Sequence, residues 1–365
     1  MDWALVSVII PAFNAAAHIR QTLNSVLAQT YQEIEVIVVD DGSSDATSAI
    51  IEEFVARDSR FQLVRQSNAG VGAARNAAIR SARGKYVAPL DADDFWVPEK
   101  LEKQVARMEQ CGNETGMVYC WSTLIDKDGK RVGFSHPYTL EGRLRHVLVL
   151  KNLIGNASAP LFRAAALERV GLYSTRAEQE GAQGCEDWDL ALRIAEIFSV
   201  RVVPECLVAY RQNGSSMSVH ANSMAASFVF AMRRARQRNS DLPFAAFRWS
   251  GGYFYLYLAE KAYDWAHYWR CLRYLKEATF ANPVLLLKPG IYRTFIESVF
   301  HIIKGSTGIH LAEPPARTSA GKMRKGIDLH SKKKRKRRFI LNVFLNAFFR
   351  HFEFARWSKA LDDGG

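Results

Sequence analysis

The chain has 365 residues, 48% of them apolar, with a net charge of +12. The apolar share is that of a globular protein, and the length exceeds the usual single-core size, which predicts one catalytic domain with an appendage. The charge is uneven: from position 301 onward 15 Lys and Arg face 5 acids, a net of +10, leaving +2 for the first 300 residues. A near-neutral body argues against a nucleic-acid-binding protein, whose affinity would rest on phosphate contacts. Cys111, Cys120, Cys185, Cys206 and Cys271 are odd in number and show no CxxC spacing, which argues against a disulfide framework or a zinc site and fits a reducing cytoplasm. A strand-like run begins almost at once, without the basic and apolar regions of a secretory signal. No uncharged apolar stretch approaches the roughly 20 residues of a membrane-spanning helix.

Val6 to Ile10, Glu35 to Val39, Phe61 to Val64 and Tyr86 to Leu90 are short β-branched or apolar runs of strand type. Helix-like segments lie near 16–28, 46–57, 70–82 and 98–110. The alternation predicts βαβ units around a mostly parallel, Rossmann-like sheet flanked by helices. Ligands of such sheets bind beyond the carboxyl ends of the strands, and three motifs fall there. Pro11-Ala12-Phe13-Asn14 follows the first strand, Asp40-Asp41-Gly42-Ser43-Ser44-Asp45 the second, and Asp91-Ala92-Asp93-Asp94 the fourth. Asp45 is read as the cap of the next helix. Asp40 and Asp41, adjacent acids at a buried strand end, repel unless at least one meets a donor.

Carboxylates at i and i+2 on a strand end point the same way and can grip one hard cation, which in turn neutralises a diphosphate. The alternative is a turn in which Asp accepts backbone hydrogen bonds. Further on, Met117 to Ser122 reads as a strand, 126–158 as a looser region with a turn at 127–130, and Val200 to Val203 as a return to the sheet. Glu186 and Asp187 open a helix, where its dipole stabilises anions and lowers a carboxylate pKa. From about 222 to 300 the chain reads as a helical hairpin rich in aromatics, from Tyr253 to Tyr274, whose helical spacing indicates packing rather than sugar stacking.

Six ordered blocks, taken together, resemble the family 2 glycosyltransferases, which have the GT-A fold. They are Val8 to Asn14, Ser25 to Tyr31, Val38 to Asp45, Asn68 to Asn76, Leu90 to Asp94 and Glu186-Asp187-Trp188. The resemblance covers the N-terminal 215 residues and implies a nucleotide-diphosphate sugar donor, a UDP-sugar by preference. By family pattern Pro11, Ala12, Phe13 and Asn14 would line the nucleoside pocket and Asp41 would accept a hydrogen bond from the base. Arg75 would approach the donor near its phosphates and Asp91 the ribose, with Ala92 also in the donor site. Asp93, with Asp91, would hold Mn²⁺ or Mg²⁺. Asp187 would be the general base of an inverting transfer, with Glu186 orienting it or binding acceptor. Asn213 stands where the family commonly has a histidine, and His220 nearby is a candidate substitute; His18 is read as structural.

The predicted organisation is a catalytic domain over 1–221, a helical C-terminal extension packed on it over 222–304, a linker over 305–331, and a tail over 332–365. The tail begins with seven consecutive cations, Lys332 to Arg338. Residues 339–361 then set Asn342, Asn346, Arg350 and Glu353 apart from apolar residues such as Phe344 and Phe348. This is the pattern of an amphipathic helix at an anionic membrane surface, with packing on the protein's own domain as the alternative. The predicted activity is metal-dependent, inverting transfer to a glycan, lipid-linked or protein acceptor in polysaccharide or envelope synthesis. The expected location is cytoplasmic, peripheral at the inner face of the cytoplasmic membrane. A catalytically weak nucleotide-sugar-binding protein and a nucleic-acid binder acting through the tail are the rival readings.

Overall fold

The computed structural model describes residues 4–134, 138–212 and 221–307. Asn213, His220, the linker and the polybasic tail lie outside the described residues. The alternation expected of the first ninety residues is present: β1 (Val6–Ala12), α1 (Ile19–Leu27), β2 (Ile34–Asp40), α2 (Thr47–Arg57), β3 (Phe61–Arg65), α3 (Val71–Ser81) and β4 (Tyr86–Pro89). Every residue of β1 and β2 is buried, as continuous apolar runs require when helices cover both faces.

The chain continues through β5 (Phe95–Trp96), α4 (Lys100–Gln110), β6 (Thr115–Ile125), β7 (Arg131–Phe134), α5 (Arg145–Leu150), β8 (Leu161–Arg163), α6 (Ala164–Val170), α7 (Glu186–Ile197) and β9 (Ser199–Arg211). One sheet results, in the order β3-β2-β1-β4-β8-β6-β9-β5, with β7 paired to β6. It is parallel from β3 to β4, turns antiparallel where β8 enters, and is parallel again between β6 and β9. The register sets Ala12 beside Asp40 and Ile9 beside Pro89. The loops that leave β1, β2 and β4 therefore emerge at one edge, and the three motifs become neighbours.

Lys100 illustrates what periodicity does not foretell. At the start of α4 it is fully buried, its Nζ 3.9 Å from the centroid of the Trp96 ring and 2.7 Å from Gln104 Oε1. Burial pushes its pKa down to about 8. Above pH 8 the folded state releases this proton while the unfolded lysine keeps it to about pH 10.4, so stability rises with pH across that window. The gain is at most about 3 kcal/mol. Denaturant titrations at pH 8 and pH 10 should show the rise, and Lys100→Met should remove it.

The C-terminal segment holds four helices rather than the predicted hairpin: α8 (Ala221–Arg238), α9 (Phe244–Asp264), α10 (Tyr268–Ala281) and α11 (Pro289–Thr307), with a 3₁₀ turn at Pro283–Leu287. The hairpin proper is α9 and α10; α8 and α9 meet the start of α7. There Trp188 packs at 5.4 Å from the Phe228 ring and 6.2 Å from Phe254, which stack on each other at 4.1 Å. No helix of the described residues is long and apolar enough to cross a membrane.

Candidate active site

The first two motifs brace each other. Asn14 has positive φ, 48°, and its Oδ1 accepts the Ser44 N–H at 2.9 Å while its own N–H donates to Ser43 Oγ at 2.9 Å. Ala15 and Ala16 donate to Thr47 Oγ1 and Asp45 Oδ2. Asp45 also accepts the Thr47 N–H at 3.0 Å, but the helix cap is Ala46, one position later than the sequence reading placed it. Pro11 and Ala12 are buried at the end of β1, whereas Phe13 is 52% exposed and open to a ligand.

Both acids after β2 meet donors. Asp40 accepts from Ser43 N at 2.9 Å and from the Ser48 hydroxyl. The Asp41 carboxylate accepts three bonds from the loop before α3: Gln66 Nε2 at 2.7 Å, Ala69 N at 2.8 Å and Gly70 N at 2.9 Å. With four lone-pair sites and three donors, Asp41 chiefly fixes this loop and keeps at most one site for a ligand. The close passage needs glycine twice. Gly42 has φ +80°, and a Cβ on Gly72 would lie 2.6 Å from Ser174 O.

Arg75 projects from α3 and is 1% exposed. Its Nη2 lies 2.5 Å from Asp91 Oδ1, its Nη1 3.3 Å from Glu186 Oε1, and its guanidinium carbon 5.2 Å from the centroid of the Tyr173 ring. Burial alone would lower its pKa; Asp91, then Tyr173 and Glu186, reverse the effect and raise it. Arg75 thus ties the end of β4 to the start of α7, and its own contact with Glu186 spans 111 residues of sequence. Its Nε has no hydrogen-bond partner among the described residues.

The Asp91–Asp94 segment is indeed a turn, with Asp94 N donating to Asp91 O at 3.0 Å. Its backbone is held by side chains from three other elements. Thr22 donates to the carbonyls of Ala92 and Asp94, Ser158 Oγ accepts from Asp91 N, and Arg211 Nε donates to Asp93 O. The fully buried Asp94 carboxylate accepts from Ser158 Oγ at 2.6 Å and Arg211 N at 2.9 Å. Burial, then the charges of Asp93 and Asp91, raise its pKa well above the usual carboxylate range. Asp94 is thereby spent on the turn, and Asp91 and Asp93 remain partly exposed at its rim.

At the start of α7 the two acids differ. Glu186 is 3% exposed and accepts from Arg75 and, at 2.7 Å, from Gly184 N. Asp187 is partly exposed and accepts the Trp188 N–H at 2.7 Å. The helix-dipole expectation fails for Asp187: desolvation, then the Glu186 charge, outweigh Arg75 and the Trp188 N–H and push its pKa up to about 7. Asp189, the third acid of this turn, is structural, accepting from Ser174 and Arg193 at 3.0 Å each.

Residues beyond the motifs support this arrangement. From α8, Ser223 accepts Gln183 N and Ser227 accepts Cys185 N, so the approach to Asp187 is laced to the helical region. Tyr257 of α9 lies near enough that, after burial, the charges of Cys185 and Asp187 raise its phenol pKa. Tyr210 at the end of β9 is raised likewise, by burial and then by Tyr257, Asp94, Asp91 and Asp93. His18 sits partly exposed at the cap of α1, its pKa lowered by burial and then by Arg211.

The profile described as "Glycosyl transferase family 2" matches residues 7–171, and over 231 residues the chain is 32% identical to the putative teichuronic acid biosynthesis glycosyltransferase TuaG of Bacillus subtilis, covering 63% of this chain and 87% of that one. The chain belongs to glycosyltransferase family 2. An uncharacterized glycosyltransferase of Rickettsia typhi is 31% identical over 210 residues, 57% of this chain and 64% of its own length. The match thus spans somewhat less than two thirds of that relative. The fold agrees with a solved mannosyltransferase from Pyrobaculum calidifontis, in complex with GDP-mannose and Mn²⁺, at a TM-score of 0.52 and 19% identity over 83% of this chain and 87% of that one. This is the GT-A fold.

In this family 2 member, Asp91, Arg75, Glu186 and Asp187 converge, and Asp93 stands two residues from Asp91. Asp41 and Asn14 lie on the neighbouring loops. The sequence assigns no role to Tyr257, Ser158 or Arg211: Ser158 carries no motif, Arg211 lies in the family-like segment from Tyr210 to Ser218 whose interest is Asn213, and Tyr257 lies in a run of aromatics whose helical spacing looks the same whether a ring packs or faces a cleft.

Proposed function

We propose that the protein transfers a sugar from a nucleoside-diphosphate donor to an acceptor hydroxyl with inversion, as part of polysaccharide or envelope-glycan synthesis. The observation that carries the reading is the convergence of Arg75, Asp91, Glu186 and Asp187 at the edge where β1, β2 and β4 end. Pro11, Ala12, Phe13 and Asn14 form the nucleoside side, with Asp41 holding the adjoining loop and offering its remaining lone pair to the base. Ala92 and Asp91 flank the ribose. A UDP-sugar is the preferred donor on family pattern.

Asp187 takes the proton of the acceptor hydroxyl as its oxygen bonds to the sugar C1; the bond from C1 to the diphosphate oxygen breaks, and the nucleoside diphosphate leaves with the electron pair. Asp187 suits this task because a base with a pKa near the operating pH is partly ionised yet basic enough to accept a proton. Glu186 is committed to Arg75 and Gly184 N, and so orients the pair. Arg75 stays charged, opposing the negative charge gathered around Asp91.

Mn²⁺ or Mg²⁺ fits the donor set. The oxygens of Asp93 and Asp91 are hard ligands, and both residues are partly exposed. Among the described residues no three His, Cys, Asp or Glu are placed so that together they could hold a metal ion. The protein's share would be one or two carboxylates, completed by diphosphate oxygens and water, the usual way of holding Mg²⁺. When bound, the ion supplies charge neutralisation to the departing diphosphate.

The proposed organisation is a catalytic domain over 1–221, a helical region over 222–304, a linker over 305–331 and a tail, outside the described residues, that meets an anionic inner membrane surface through 332–361. Thermal unfolding with UDP-, GDP- and dTDP-sugars tests the donor site. At least one donor should raise Tm, and Mn²⁺ should increase the rise; no shift with any of them contradicts the reading.

A further inference from the structure

The last described helix is amphipathic in the wrong sense for a soluble surface. On α11, Thr294, Glu297 and Ser298 are 5%, 9% and 0% exposed, while Tyr292, Phe295, Ile296 and Ile303 are 51%, 51%, 65% and 48% exposed. These four apolar residues recur at spacings of three, one and seven, one stripe of a helix. The inward polar groups are satisfied. Thr294 donates to Gly290 O, Ser298 to Thr294 O, and Glu297 accepts from Tyr263 at 3.0 Å and Arg293 at 2.6 Å. The helix is therefore seated by Ile291, 6% exposed, together with these polar groups, while Tyr292, Phe295, Ile296 and Ile303 face out. The 3₁₀ turn before it extends the patch, with Val284 56% and Leu287 81% exposed.

We propose that this face is a lipid-contacting surface, which lies in the headgroup and upper acyl region of an anionic membrane. Scattered exposed apolar residues need no explanation, but a continuous stripe on an inverted helix marks an interaction surface. Charge complementarity selects lipid over a second copy. Lys332 to Arg338 follow 25 positions after Thr307, and residues from 301 onward carry a net +10. Two copies that each carry this net positive charge repel one another, whereas an anionic membrane attracts both. Lys288 and Arg293 are exposed beside the stripe, Arg293 also pairing with Glu297, and such side chains can lay the aliphatic stem in lipid with the charge toward the headgroups. This surface is separate from the predicted contact through 332–361 and does not depend on the transferase reading.

The test is co-sedimentation of the full chain with vesicles of phosphatidylcholine alone or mixed with equal parts of phosphatidylglycerol. Wild type should bind the anionic vesicles. Leu287→Asp with Phe295→Asp and Ile296→Asp should lower the partition coefficient at least about tenfold and leave the melting temperature and nucleotide-sugar turnover in vesicle-free solution unchanged. Ile296→Asp alone keeps the test readable if the triple variant misfolds, with a drop of at least about threefold. Replacing Lys332 to Arg338 by glutamine should weaken anionic binding and leave a remainder that the α11 substitutions abolish. Three results would overturn the proposal: wild type that ignores both vesicles, α11 variants that bind like wild type, or light scattering that shows a dimer which the triple variant turns into a monomer.

Discussion

Asp187→Asn is expected to slow glycosyl transfer about 10²- to 10⁴-fold, the usual worth of a general base, while donor affinity stays within about twofold, since a shape-conserving change leaves the ground-state contacts in place. The same variant should melt at a higher temperature than wild type at pH 8. The sign follows from linkage. An unfolded aspartate ionises near 3.9, whereas burial and the Glu186 charge hold this one to about 7. Between those values the folded state binds the extra proton, so stability falls as pH rises to 7 and stays lower above it. Asparagine removes the buried charge. Loss of rate with a gain in Tm is the pattern of a residue kept for chemistry at the expense of stability. In wild type, kcat/KM should fall tenfold per pH unit below about pH 7. A kcat/KM profile flat down to pH 5 would remove Asp187 from that role.

Arg75→Met is the most damaging single change for the fold. It leaves Asp91 and Glu186 without their cation, and Glu186 has almost no access to water. Breaking a buried pair in this way costs about 3–5 kcal/mol, to be read as a lower urea midpoint at unchanged m value. Arg75→Lys should retain part of the stability but little activity, since an ammonium lacks the planar fork that spans Asp91 and Glu186 together. A Met variant as stable as wild type at pH 7 would show that the two carboxylates find other partners.

The architecture was legible because parallel strands buried on both faces read as unbroken apolar runs, and β2 and β4 end where those runs meet acids. Asp91, Arg75 and Asp187 were legible only as motifs; their meeting is a product of topology. The strand order past β4 was not readable: β5 has two residues and β8 three, too short for a period to register. The sense of the Asp187 shift depends on Glu186 and on burial by distant elements, whereas the dipole argument sees only the local helix. The role of Asp41 in holding a loop depends on donors 25 to 29 residues away. A helix that buries Thr294, Glu297 and Ser298, as α11 does, shows the same periodicity as one that exposes them, so the sequence indicates a helix here without indicating which face is buried.

The most direct test is release of nucleoside diphosphate from a panel of UDP-, GDP- and dTDP-sugars in the presence of Mn²⁺, with wild type beside Asp93→Ala. At least one donor should be turned over by wild type, and Asp93→Ala should lose at least about 100-fold of that rate, in line with removal of one charge-stabilising contact at a reacting centre. No turnover of any donor, or a rate untouched by Asp93→Ala, would contradict the assignment of this cleft as a metal-assisted sugar-transfer site.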